Sequence, residues 1–217
     1  MNARTLSPQW QATAKSRKGP WHRRVCHVQP VYDESNPPFA RGAPDVLMLS
    51  VTTEQGRLAS WCTEGWFNDR LSIWGHAKMD VVIAPTPGAL LHKQLHDCLF
   101  LVRRVTNRWR LIGQTDGGGL ASTSSIDRLL NSGYDELQWI VTQRLLQDRD
   151  GRVRSLSRIM NAMRELIEIR DRRDQRRPMV IWQYDPSALH EVDANRLIEM
   201  ARQVGVDRLV RSALRDW

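Results

Sequence analysis

The sequence predicts an α/β fold built on a mainly parallel six-stranded sheet. Three observations lead there. Short, mostly apolar runs of strand length recur along the chain. Amphipathic helical patterns lie between them, and the two kinds alternate from about residue 44 to the end. Runs that are apolar without a polar alternate suit strands buried on both faces, and βαβα alternation implies parallel pairing through right-handed crossovers.

Residues 1–43 stand apart. They hold Pro8, Pro20, Pro30, Pro37 and Pro38 and no sustained periodicity, so an extended arm or cover is expected, with only Arg24 to Val31 able to form a short strand. The first core strand is placed at 45–52 (DVLMLSVT) and the second at 80–84 (DVVIA), joined by a crossover that reads as poorly helical. Leu91, Leu95, Cys98, Leu99 and Val102 then fall at helical spacing before a third strand at 109–115. Ile126, Leu129 and Leu130 mark a helix stopped by Gly133, and 136–142 (ELQWIVT) is the fourth strand. The clearest helix carries Leu156, Ile159, Met160, Met163, Leu166 and Ile167, with Arg158, Arg164, Glu165 and Glu168 on its other face. Pro178 bars its continuation and a fifth strand follows at 179–184. Leu197, Met200, Ala201 and Val204 form the last helix, ended by Gly205 as a C-cap, before a sixth strand at 208–214. Residues 201–214 also have the Ala-x-x-x-Gly spacing of a helix-turn-helix, but Arg211 occupies a position that motif needs apolar, so helix–Gly–strand is the better parse. Six βα units are too few for an eight-unit closed barrel and fit an open partial barrel or a doubly wound sheet.

Composition narrows the function classes. The 217 residues carry a formal charge of +8. Residues 1–43 hold seven basic and two acidic residues, a net +5, so most of the excess lies in the arm. Lys15, Arg17, Lys18, Arg23 and Arg24 form a basic patch that would suit an anionic partner such as nucleic acid, and a solvated basic tail accounts for the same charges. No apolar run reaches the roughly 18 residues of a spanning helix, and Met1 to Lys18 lack the apolar stretch of a signal peptide. Three cysteines without C-x-x-C spacing do not make a disulfide scaffold. A cytoplasmic protein with no membrane partner is the expectation.

Individual side chains have competing readings. His92 and His96, four apart and followed by Cys98, could bind zinc, but the glutamate of H-E-x-x-H is absent. Cys26 and Cys62 lack any local spacing that would join them to Cys98, and buried structural cysteine is the simpler reading. Trp139 and Trp182 read as core, whereas Trp66 and Trp74 could line a pocket or meet a partner. Arg103, Arg104, Arg108 and Arg110 flank Trp109 and could contact phosphate or a base face, although a charged helix end and edge is the better reading. Arg170, Arg172, Arg173, Arg176 and Arg177 alternate with Asp171 and Asp174 at a helix C-terminus, where cations suit the dipole.

Several segments resemble the radical S-adenosylmethionine (SAM) superfamily over about residues 44–217. TDGGGLAS (115–122) looks like the family's "TNG" turn after its third strand, and SIDRLLNSGYDELQWIV (125–141) is similar to its next helix, glycine turn and strand. NAMRELIEIRDRRDQRRPMV (161–180) and LIEMARQVGVDRL (197–209) resemble its later units. The resemblance implies a partial (β/α)6 barrel, residues 44–217, behind a basic N-terminal extension, residues 1–43. The family's C-x-x-x-C-x-Φ-C motif, with Φ aromatic, follows its first strand and holds a [4Fe–4S] cluster on three thiolates. The corresponding positions are Gln55, Ala59, Trp61 and Cys62, so spacing, aromatic and last cysteine are kept and two ligands are missing. The family's "GGEP" motif, which holds the methionine amino group of SAM, corresponds to Thr86, Pro87, Gly88 and Ala89, with Gly88 at the acidic position, and the following Leu90-Leu91-His92 is retained. Thr115, Asp116 and Gly117 complete the implied SAM pocket. The expectation is a degenerate, non-catalytic relative, without cofactor, that partners an active enzyme of that superfamily. Non-standard cluster ligation, a nucleic-acid accessory role and a nucleotide sensor are the alternatives. Thr142, Gln143, Gln183, Asp185 and Ser212 complete the polar strand ends expected at the mouth.

Overall fold

The structure is a computed structural model that describes residues 9–13, 25–31, 43, 45–50, 64–84, 90, 92–115, 123–141, 153–184 and 191–211. In chain order these form β1 (Gln9–Thr13), β2 (Val25–Val31), β3 (Val46–Leu49), α1 (Glu64–Trp74), β4 (Met79–Ile83), α2 (Lys93–Val105), β5 (Trp109–Thr115), α3 (Thr123–Asn131), β6 (Glu136–Val141), α4 (Val153–Arg172), β7 (Met179–Tyr184), α5 (Glu191–Val204) and β8 (Arg208–Arg211). All six predicted core strands are present, with the alternation that the hydrophobic pattern demands. The chain divides into two compact units, Met1–Ile112 and Gly113–Trp217, with the boundary inside β5.

In the first unit β3 pairs parallel with β4, matching Val46 to Asp80 and Leu49 to Ile83. β2 adds to the other edge of β3 in parallel, Val25 opposite Val46. β1 runs antiparallel to β2, Gln9 opposite Val31. The arm expected from residues 1–43 thus contributes two strands rather than one. QWQAT is too short and too polar to signal a strand by itself, and the ladder to β2 supplies what the pattern lacks.

Strand alternation divides the first unit's sheet into two faces. Leu47, Leu49, Val81, Ile83 and Leu111 are fully buried on one of them. Trp109, two residues before Leu111, shares that face, and its Nε1 donates to the Trp74 carbonyl at the end of α1 at 3.2 Å. This is therefore the helix-covered face. The opposite face carries a small apolar cluster of Val46, Met48, Val82 and Ile112.

The crossover read as poorly helical is an 11-residue helix, α1. Its buried residues are Trp66, Phe67, Leu71 and Trp74, a stripe in which two adjacent aromatics blur the periodicity. Gly75 ends it, donating to the Leu71 carbonyl at 2.8 Å. Thr106, just past α2, donates its hydroxyl to the Gly75 carbonyl at 2.8 Å, so the two helix ends are tied together. α2 buries Leu95, Cys98, Leu99 and Val102 as its spacing predicts.

In the second unit β6 pairs parallel with β7, and β7 with β8. Trp139 stands opposite Trp182, both nearly inaccessible to solvent. The Trp182 indole donates to Met163 Sδ of α4 at 2.8 Å, which identifies the helix-covered face. Ile126, Leu129 and Leu130 of α3, Met163, Leu166 and Ile167 of α4, and Leu197, Met200, Ala201 and Val204 of α5 are all buried. Gly133 and Gly205 adopt positive φ, 85° and 80°, after α3 and α5 as the sequence predicts. Helix–Gly–strand holds at the C-terminus: Gly205 and Val206 both donate to the Ala201 carbonyl, and Arg211 lies in β8.

One ion pair joins three elements of this unit. Arg170, near the end of α4, is 6% exposed and engages both carboxylate oxygens of Asp207, at 2.5 and 3.1 Å. It also donates to Asp171 and to the Pro178 carbonyl. Asp207 in turn accepts from the Val180 amide of β7 at 2.7 Å. Burial draws the Arg170 pKa down, but hydrogen bonds to Asp207 and Asp171 and their charges outweigh it, leaving the guanidinium above its ordinary value. A raised pKa stabilises the fold below the unfolded value and is lost only as pH rises through the folded one, so this guanidinium stays charged short of strong alkali.

Two stability predictions follow from these contacts. A Cβ at Gly75 would lie 2.5 Å from the Leu71 carbonyl oxygen, so Gly75→Ala should cost about 1–3 kcal/mol in equilibrium denaturation. Asp207→Ala strands a buried guanidinium and should cost about 3 kcal/mol, whereas Asp207→Asn keeps the acceptor for Val180 and should cost less.

Candidate functional site

Parallel pairing brings the carboxyl ends of neighbouring strands to one end of a sheet, and ligands of α/β folds collect there. In the first unit β3 ends at Leu49 and β4 at Ile83, directly opposite one another in the ladder. The chain then runs from β3 to α1 through Gln55, Ala59, Trp61 and Cys62, and from β4 to α2 through Thr86, Pro87, Gly88 and Ala89. Those eight residues lie outside the described residues, and their place in the fold is the connection each occupies. In the second unit Thr115 closes β5 and is buried, while Asp116 and Gly117 lie outside the described residues. So do the basic patch of Lys15, Arg17, Lys18, Arg23 and Arg24, which falls between β1 and β2, and Thr142, Gln143, Asp185 and Ser212.

The second unit carries a polar face that the sequence reading did not identify. Gln138, on the side of β6 away from Trp139, accepts from Gln114 Nε2 through its Oε1 at 3.1 Å. Its own Nε2 donates to Glu136 Oε2, also at 3.1 Å. This chain fixes the Gln138 amide, with its oxygen toward β5 and its nitrogen toward Glu136. Gln183 is on the same face of β7, one ladder step on from Ile181, the residue opposite Gln138. Gln114, Glu136 and Gln183 are buried, at 3%, 7% and 7% exposure. A sheet face facing only aliphatic core would not retain four such groups, because each must keep a hydrogen-bond partner out of water. The signal was available: in ELQWIV, polar 136 and 138 alternate with apolar 137, 139 and 141. Together these groups provide donors and acceptors able to orient a polar ligand. Among the described residues this face holds no nucleophile paired with a base.

Several other candidates are buried in the core or held by the backbone. His96 is buried, and its Nε2 lies 2.5 Å from the Leu90 carbonyl, so that nitrogen is engaged with the backbone. His92 stands at the start of α2, and its Nδ1 is shielded from solvent. Cys98 is buried and forms no disulfide. Among the described residues no three His, Cys, Asp or Glu side chains converge as a metal site. Trp66 and Trp74 are core residues of the first unit. They are buried, and the Arg70 guanidinium lies over both rings at 5.6 and 5.5 Å. Arg103 donates to the Trp109 carbonyl and Arg110 pairs with Asp80 at 2.9 Å, so this stretch works as a charged helix end and strand edge. No helix among the described residues is long and apolar enough to cross a membrane.

Compared with known protein families, with curated proteins and with solved structures, the chain matches none.

The Gln114–Gln138–Glu136 chain is testable through stability. Gln138→Ala removes the group that serves both neighbours and should cost about 1–3 kcal/mol in denaturant unfolding, with Gln138→Met costing as much because shape alone cannot replace the two hydrogen bonds.

Proposed function

We propose that the chain is a radical-SAM-type α/β protein that has lost cluster chemistry and acts without catalysis, as a scaffold or substrate-presenting partner of an active enzyme of that superfamily. The observation that carries this reading is the donor set in the connection after β3. Gln55 offers a neutral amide, Ala59 offers nothing and only Cys62 can supply a thiolate, at the spacing where three are required. These residues do not fit a [4Fe–4S] cluster. The connection after β4 points the same way, with Gly88 where a carboxylate would meet the ammonium of SAM. Support for the architecture comes from the parallel β3–β4 and β6–β7–β8 ladders with their helical crossovers. Helices and strands agree with the resemblance, whereas the departures fall in the connections that would do chemistry.

In this role the protein holds and orients rather than reacts. The amide-lined face of the second unit supplies hydrogen-bonding groups held in place by their own network, which is what presenting a polar substrate requires.

Anaerobic reconstitution with iron and sulfide tests the reading. The chain as it stands should take up no cluster, and calorimetric titration with SAM should show weak binding or none. Gln55→Cys combined with Ala59→Cys should then gain cluster absorption. Uptake of about four irons per chain by the unsubstituted protein, with a SAM-dependent spectral change, would overturn the proposal.

A further inference from the structure

The second unit has a cavity at the end of its sheet opposite the carboxyl strand ends. It lies where β7 and β8 begin, is about 430 Å³ in volume, and is lined by Arg170, Asp171, Gln175, Arg176, Met179, Asp207 and Arg208. That volume suits a small metabolite. The arginines in this lining are not equivalent. Arg170 is committed, with its Nε and both terminal nitrogens turned to Asp171, Asp207 and the Pro178 carbonyl. Nearby Arg173 pairs with Asp127 and Arg177 with Asp135, so they are spoken for as well. Arg176 and Arg208 are exposed and carry no ion pair or hydrogen bond among the described residues. Two guanidiniums therefore face one cavity from a turn and a strand start, next to a third that is rigidly held. Gln175 adds an amide oxygen that accepts no hydrogen bond and is shielded from solvent.

We propose that this cavity binds a small hydroxylated phosphate monoester, with Arg176 and Arg208 contacting the phosphate and the Gln175 amide turning to accept from a hydroxyl. Guanidiniums match phosphate oxygens with paired N–H donors, and two of them suit a dianion. Two features oppose an anion here, the C-terminal dipole of α4 and the carboxylates of Asp171 and Asp207. Both carboxylates are already bonded to Arg170, and the Asp171 side chain is 59% exposed, so solvent weakens its field. The unsatisfied acceptor of Gln175 is the reason for expecting a hydroxyl and not an anion alone. This site does not depend on the reading of the strand-end connections, and the two can fail separately.

Calorimetric titration of the full chain with ribose 5-phosphate, inorganic phosphate and ribose tests it. Ribose 5-phosphate should bind tightest, inorganic phosphate more weakly and ribose undetectably, with affinity falling as chloride is added. Arg176→Gln and Arg208→Gln should each weaken ribose 5-phosphate binding about tenfold, while Arg172→Gln, which removes the same charge outside the lining, leaves it unchanged. Thermal unfolding of each variant, unshifted from the parent, shows that the loss is not misfolding. Three results would overturn the proposal: no binding of either phosphate at millimolar concentration, equal weakening by Arg172→Gln, or equal affinity for the two phosphates.

Discussion

Parallel pairing is the constraint on which the rest of the molecule depends. A parallel neighbour cannot be reached by a tight turn, so the chain must cross over between strands, and from β3 onward each connection contains a helix. The crossover covers one sheet face, and that face must be apolar. Leu47, Leu49, Val81 and Ile83 meet this demand in the first unit, and Leu137, Trp139, Val180 and Trp182 in the second. The hydrogen bonds from Trp109 to Trp74 and from Trp182 to Met163 register sheet against helix within each unit.

The same constraint separates the two ends of each sheet into different kinds of chemistry. Carboxyl ends lead into the connections that carry Gln55 to Cys62 and Thr86 to Ala89. Amino ends are bound closely to the fold. Val180 near the start of β7 and Asp207 just before β8 meet on the guanidinium of Arg170, which leaves the other arginines of that turn differently employed. Charge that looks redundant in the sequence, five arginines within eight residues, divides into Arg170, Arg173 and Arg177 with separate carboxylate partners, Arg172 on a backbone carbonyl, and Arg176 with no partner among the described residues.

The polar face of the second unit shows how buried amides and a carboxylate are accommodated on a sheet. Gln114, Gln138 and Glu136 satisfy one another, so the desolvation of each is offset within the group.

Much of this was determined by the sequence alone. The six core strands, the stripes of α2, α3, α4 and α5, and the glycine stops at Gly133 and Gly205 follow from periodicity and backbone sterics, which act over a few residues. The absence of thiols at Gln55 and Ala59 was equally legible, since ligand chemistry is a matter of residue type. Other features waited for tertiary structure. α1 became clear only when Trp66, Phe67, Leu71 and Trp74 had a surface to bury against, and β1 only when β2 offered a ladder. The joining of Gln114 to Gln138, 24 positions on, and of Arg170 to Asp207, 37 positions on, is invisible to any local pattern. Which polar groups meet is decided by strand register and helix placement, and those are properties of the packed chain.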